Sequence, residues 1–202
     1  VHEFSRKHKL EWGPDKCKTM EVGSHSENRD MWTLGDKTIK KCESYKYLGE
    51  MINRNGKNDE NLRMRCDKLK ATVRAIITCC KSEVMATIGM KTIIKLHEAE
   101  TISAFLYNSE TWTLNKTEKR LIDQNEIYAW KKMIGLPQTT PTAGIVLTVR
   151  CLFATVRIAQ KQLLYLHKVL TKPETHWTRV TLLALKAHNI GWAKQIEELL
   201  ET

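Results

Sequence analysis

The sequence predicts an α+β fold that is mainly α, with a small antiparallel β unit over residues 1–56 and a helical bundle over 57–202. Three observations predict it. Short runs rich in aromatic and β-branched residues fill the stretch before Asn55-Gly56. From there to the end, apolar residues recur at three- and four-residue steps. A hydrophobic share of 42% in 202 residues suffices for one sizeable core.

Taken in order, Cys17 to Val22, Met31 to Leu34, Lys37 to Cys42 and Tyr45 to Ile52 read as strands. Gly35-Asp36 reads as a two-residue hairpin loop, because a first-position glycine reaches the positive φ of a type II′ turn. Beyond Gly56, Asn58 or Asp59 can cap a helix from about 59 to 81. Leu62, Cys66, Leu69, Val73, Ile76, Ile77 and Cys80 would form its buried stripe. A second helix follows Gly89, with Met90, Ile93, Ile94, His97, Ala104 and Phe105 in register. A third starts after Asn115, passes Leu121, Ile122, Tyr128 and Ala129, and stops at Gly135-Leu136-Pro137, where proline cannot donate to the helix ladder. Pro141 opens a further segment, and a helix from roughly Leu152 to Leu170 precedes Lys172-Pro173. Helices around Trp177 to Ala187 and Trp192 to Leu200 close the chain.

Charge narrows the partners. Thirty-three Lys and Arg against 23 Asp and Glu give a net charge of +10, which suits a polyanion or an anionic membrane surface. No apolar run approaches the length that spans a bilayer, and the polar start VHEFSRKHKLEW is unlike a secretory signal, so a soluble, non-membrane protein is expected. Six cysteines (Cys17, Cys42, Cys66, Cys79, Cys80, Cys151) lack a CxxC pair and read as small buried hydrophobes in a reducing cytosol or nucleus. The Asn115-Lys116-Thr117 sequon is too short a pattern to weigh without a signal sequence. The first residue, Val1, suggests a piece of a longer reading frame.

No phosphate loop, HExxH or nucleophile elbow is present, and Asp15, Asp30 and Asp36 stand beside turns rather than in a Tyr-x-Asp-Asp-like pair. The positive signal is basic stripes. Arg63, Lys70, Arg74 and Lys81 follow steps of seven, four and seven, which puts them within about 20° of one line on a helix. Arg150, Arg157, Lys161 and Lys168 repeat those steps, with Arg150 at or before the helix start. Such ridges could track phosphates; the competing reading is ordinary solvated helix faces, and Asp67 dilutes the first ridge. Trp12, Trp32, Trp112, Trp130, Trp177 and Trp192 could stack bases, but core anchoring suits the majority of them better. His97 and His167 read as packed residues, and no histidine reads as catalytic.

Several short motifs in this order resemble the stretch that follows the catalytic YxDD strand in LINE-type, non-LTR retrotransposon reverse transcriptases. They are Lys16-Cys17-Lys18, then Tyr45-Lys46-Tyr47-Leu48-Gly49, then Leu106-Tyr107-Asn108-Ser109-Glu110-Thr111-Trp112, then Gly135-Leu136-Pro137 with Thr140-Pro141. The resemblance covers roughly Phe4 to Leu170; Asn108 stands where glycine is expected, and Val146 to Ala154 lacks the expected Gly and Pro. It implies that residues 1–56 are the end of a palm and 57–202 a thumb. Lys16 or Lys18 would take the lysine position near the incoming nucleotide, and Tyr47, Leu48 and Gly49 that of the primer grip. Together with Arg63, Lys70, Arg74, Lys81, Arg157, Lys161 and Lys168 these are the candidate nucleic-acid contacts.

The implied partners are an RNA/DNA template-primer duplex and the fingers and palm of the same polymerase. The fingers, palm aspartates, zinc knuckle and endonuclease of that family have no counterpart in these 202 residues. The segment is therefore not expected to polymerise alone or to hold a cofactor, Mg2+ being expected only in the complete enzyme. The alternative is a helical protein-interaction domain or a non-functional relic.

Overall fold

The structure is a computed structural model, and it describes residues 2–10, 13, 16–22, 32–34, 37–80, 87–150 and 152–201. The fold is α+β and mainly α. Two compact units divide the chain, Val1–Asn61 and Leu62–Thr202, where the sequence reading places the division at 56/57.

The first unit opens with a short helix α1 (His2–Lys7) and contains six short strands among the described residues. Strand β1 (Lys18–Thr19) pairs with β4 (Lys40–Lys41) in parallel. That corrects the antiparallel expectation at this pair, and β1 is shorter than the run Cys17 to Val22 suggested. β2 (Thr33–Leu34) and β3 (Lys37–Thr38) pair antiparallel, as a hairpin requires, while the Gly35-Asp36 turn itself lies outside the described residues.

Tyr45 to Ile52 is not one strand. It folds back as β5 (Ser44–Tyr47) and β6 (Glu50–Asn53), with Tyr47 opposite Glu50 and Leu48-Gly49 as the whole loop. Leu48 has φ 48° and Gly49 φ 89°, two successive positive values of the kind a type I′ turn demands. Periodicity hid this because leucine is a poor turn marker.

Helix α2 (Asp59–Cys79) carries Asp59 and Glu60 in its first turn, where carboxylates complement the exposed N–H groups. Within the first unit Asn61 fixes the hairpin to that turn: its Oδ1 accepts from Met51 N at 3.2 Å and its amide donates to Glu50.

In the second unit α2 buries Leu62, Cys66, Leu69 and Val73, with Ile76 and Ile77 packed partly against the core. α3 runs as Met90–Leu96, passes through a π-helical stretch His97–Ile102, and closes with Ser103–Phe105. The wider π turn displaces the four-residue stripe, so the buried residues become Ile93, His97, Thr101, Ile102, Phe105 and Leu106. Each fully buried large apolar side chain contributes on the order of 2 kcal/mol.

α4 (Lys116–Met133) begins with a reciprocal box: Asn115 Oδ1 accepts from Glu118 N at 2.9 Å, and Glu118 Oε2 accepts from Asn115 N at 2.8 Å. Its end is set by Gly135 at φ 70°, not by Pro137. Leu136 N donates back to Lys131 O at 2.8 Å and Gly135 N to Lys132 O, closing the helix before the proline arrives.

α5 (Thr142–Val149) and α6 (Ala154–Leu170) follow. Alanine begins α6 with no side-chain cap of its own; two carboxylates from α4 supply the missing acceptors. Glu126 Oε2 accepts from Ala154 N at 2.5 Å, and Asp123 accepts from Thr155 N at 3.2 Å and Thr155 Oγ1 at 2.9 Å.

A smaller core joins the far end of α6 to α7 (Trp177–Ala187) and α8 (Gly191–Leu200) through Val169, Leu182 and Ala193. Buried amides tie this end to the connection over residues 112–114. Gln162 donates to Trp112 O at 2.8 Å, Gln195 accepts from Leu114 N at 2.6 Å, and the two glutamines meet at 3.3 Å.

Among the described residues no single helix is long and apolar enough to cross a membrane. Only α5 and α6 taken together, bent by 56°, pass by length and composition.

Candidate nucleic-acid interface

On α2 the fold leaves much of the predicted ridge accessible. Arg63 and Arg74 are exposed, about a quarter turn around the helix from the buried Leu62, Cys66, Leu69 and Val73 stripe. Lys70 lies between them and is half-buried, its Nζ 6.0 Å from the centroid of the Tyr128 ring. The ammonium lies over an aromatic face while the stem packs, so the Tyr128 ring orients Lys70. Lys81 lies outside the described residues. Asp67, exposed on the same helix, stands beside the ridge.

The second stripe is used differently. Arg157 Nη2 pairs with Glu98 Oε1 at 3.0 Å, and its Nε donates to Leu152 O. Lys161 Nζ donates to Leu106 O at 2.8 Å. Both cations therefore tie α6 to the end of α3, and Lys168 alone of the three is exposed. Arg150 sits before α6 in a left-handed conformation, φ 51°, off the line of that ridge.

In the first unit Lys16 and Lys18 are exposed, and the Lys16 carbonyl accepts from Tyr45 Oη at 3.1 Å. The hairpin tip projects apolar surface into solvent, with Tyr47 58% and Leu48 74% exposed and Gly49 half-buried. A leucine held at φ 48° is disfavoured by about 1 kcal/mol or more, and no packing in the core explains it.

Arg65, one residue from the hydrophobic stripe, escaped the sequence reading. It is buried, its Nη1 donates to Ala104 O at 3.2 Å, and its guanidinium lies 5.1 Å from the Tyr107 ring.

Deeper in the second unit, His97 packs on Trp130 with ring centroids 3.9 Å apart. Burial, and secondarily the Arg157 charge, push its pKa from 6.5 down to about 3, which keeps the imidazole neutral. Burial pushes Glu126 up to about 7 against the pull of the Ala154 N–H and Arg157. The Trp130 indole N–H, one turn along α4, also favours the carboxylate slightly, but it falls short of hydrogen-bond geometry. His167 is exposed, contrary to the packed reading.

Of the described cysteines only Cys66 is buried, and burial raises its thiol to about 11; Cys79 is exposed, and Cys151 lies outside the described residues. Among the tryptophans, Trp112 and Trp130 are buried and Trp192 is anchored through Nε1 to Glu110 O at 2.7 Å, whereas Trp32 and Trp177 are exposed. Trp12 lies outside the described residues, as do Asp15, Asp30 and Asp36. No group of three or more His, Cys, Asp or Glu side chains gathers at metal-binding distance among the described residues.

No known family model, curated protein or solved structure matches the chain.

Proposed function

We propose that this chain binds template and primer as the palm-end and thumb segment of a non-LTR-type reverse transcriptase, contributing grip rather than catalytic carboxylates. The observation that carries the reading is the α2 ridge. Arg63, Lys70 and Arg74 share one line on a long helix whose adjacent face is anchored in the core, so the backbone positions that carry their charges are held in register. A rigid row of cations suits the regular spacing of backbone phosphates, which it binds without reading bases.

The exposed Tyr47-Leu48 tip supports the reading from the first unit, because an aromatic and an aliphatic side chain can pack against a sugar or a terminal base. The metal ions of the reaction would belong to palm carboxylates outside this segment, and the place of action would be cytosol or nucleus.

The test is the affinity of the purified chain for an RNA–DNA hybrid duplex across a salt series. Neutralising Z phosphates gives a log–log slope of about −0.9Z. The triple variant R63A/K70A/R74A, still folded by circular dichroism, should therefore flatten the slope by roughly 2 to 3. An unchanged slope refutes the ridge as the contact.

A second reading is a helical protein-interaction domain. It is favoured by α7, which buries Leu182 yet leaves Trp177, Val180 and Leu183 exposed. Weak, salt-insensitive nucleic-acid binding would select it.

A further inference from the structure

A cleft of about 510 Å³ runs beside α4, lined on the helix by Arg120, Gln124, Tyr128 and Lys131 and facing Gln138 and Phe153. That volume falls in the range of ordinary small-ligand sites. Lys131 is only 9% exposed, and its Nζ donates to Gln138 O at 2.6 Å. An ammonium has three donors, and Gln138 is the partner of one of them among the described residues. The rest of its hydrogen-bonding capacity is available to a ligand in the cleft.

Asp123 also lines the cleft, but its carboxylate already accepts from Thr155 N and Thr155 Oγ1 at the start of α6. Arg120 is exposed and has no acidic partner among the described residues. The cleft thus offers two cations with unused donors, a primary amide and an aromatic ring. Tyr128 connects it to the ridge, because the same ring carries Lys70.

We infer that this cleft takes one unpaired nucleotide of a strand whose duplex portion lies along the α2 ridge. The base packs beside Tyr128, Gln124 hydrogen-bonds its edge, and Arg120 and Lys131 hold the adjoining phosphates. A nucleotide engages all four groups at once, its phosphates with the cations, its base edge with the amide and its base face with the ring. The inference rests on the nucleic-acid reading above and adds to it a preference for a junction of duplex and single strand.

The experiment compares binding of the full chain to a blunt RNA–DNA hybrid and to the same hybrid with a short single-stranded extension, by fluorescence anisotropy. The variant R120A/Q124A replaces two exposed helical positions with the best helix former, so the fold is retained. Wild type should bind the extended duplex about tenfold more tightly than the blunt one, and the variant should bind the two alike.

An extension that brings no gain, or a gain that survives R120A/Q124A, overturns the inference while leaving blunt-duplex binding and the ridge reading intact. Displacement of the extension by poly-glutamate at matched charge also overturns it and assigns the cleft to an acidic protein segment. Absence of binding to either duplex refutes the nucleic-acid reading and the inference together.

Discussion

The buried pair His97 and Glu126 should give this protein a stability profile with a level top and a steep acid side. For His97 the folded value, about 3, lies below the ordinary 6.5. Its contribution is therefore complete above 6.5 and is lost as pH falls through the interval down to about 3. Glu126 works in the opposite sense. Its folded value of about 7 lies above the ordinary 4.5, so the folded state holds the proton more tightly and stability declines as pH rises from 4.5 to about 7.

At ~1.4 kcal/mol for each tenfold change in proton affinity, the two displacements correspond to roughly 4 to 5 and 3 to 4 kcal/mol at full extent. Between 4.5 and 6.5 the slopes oppose and nearly cancel; below 4.5 the histidine acts alone. The assay is the urea midpoint at a series of pH values, followed by tryptophan fluorescence, to which Trp130 reports directly from beside His97.

His97→Phe, which keeps a ring against Trp130, should abolish the acid loss and leave a profile that only declines from 4.5 to 7. Glu126→Gln keeps an acceptor for Ala154 N–H and should turn the level region into a rise of about 1.4 kcal/mol per pH unit. Variant profiles that run parallel to wild type at every pH would refute burial as the cause of both displacements.

Leu48→Asn should stabilise the β5–β6 hairpin by about 1 kcal/mol, since asparagine tolerates the left-handed φ, and should weaken duplex binding if the tip is a contact. Thermal unfolding and anisotropy read the two effects separately. Asp123→Ala removes the acceptor for Thr155 and should cost about 1 to 2 kcal/mol in urea unfolding, with early loss of amide protection in the first turn of α6. Gly135→Ala should cost about 1 kcal/mol for conformational reasons alone, because a Cβ there would meet nothing within 4 Å. A cost far above that in calorimetry would mean the α4 terminus is packed more tightly than the fold indicates.

Local chemistry written into consecutive residues was legible without a structure. The stripe of Leu62, Cys66, Leu69 and Val73 reads directly as a helix face, and Asn115 marks the start of α4. Gly135 marks its end, although proline is the more conspicuous signal two residues later. The Tyr45 to Ile52 run misled because a strand and a tight hairpin share composition, and only the pairing of Tyr47 with Glu50 distinguishes them. The candidate ridges show the same limit: identical spacing left Arg63 and Arg74 in solvent but bound Arg157 to Glu98 and Lys161 to Leu106 O.

The sequence by itself determined the fold class, the buried face of α2 and the excess of positive charge, since each depends on residues a few positions apart or on a sum over the chain. Tertiary structure alone decided which cations stay exposed, why an uncapped alanine can begin α6, and how Glu126 comes to lie in the core. Those outcomes depend on partners 28 to 59 residues away, such as Glu126 with Ala154 and Glu98 with Arg157, and no local pattern encodes such meetings.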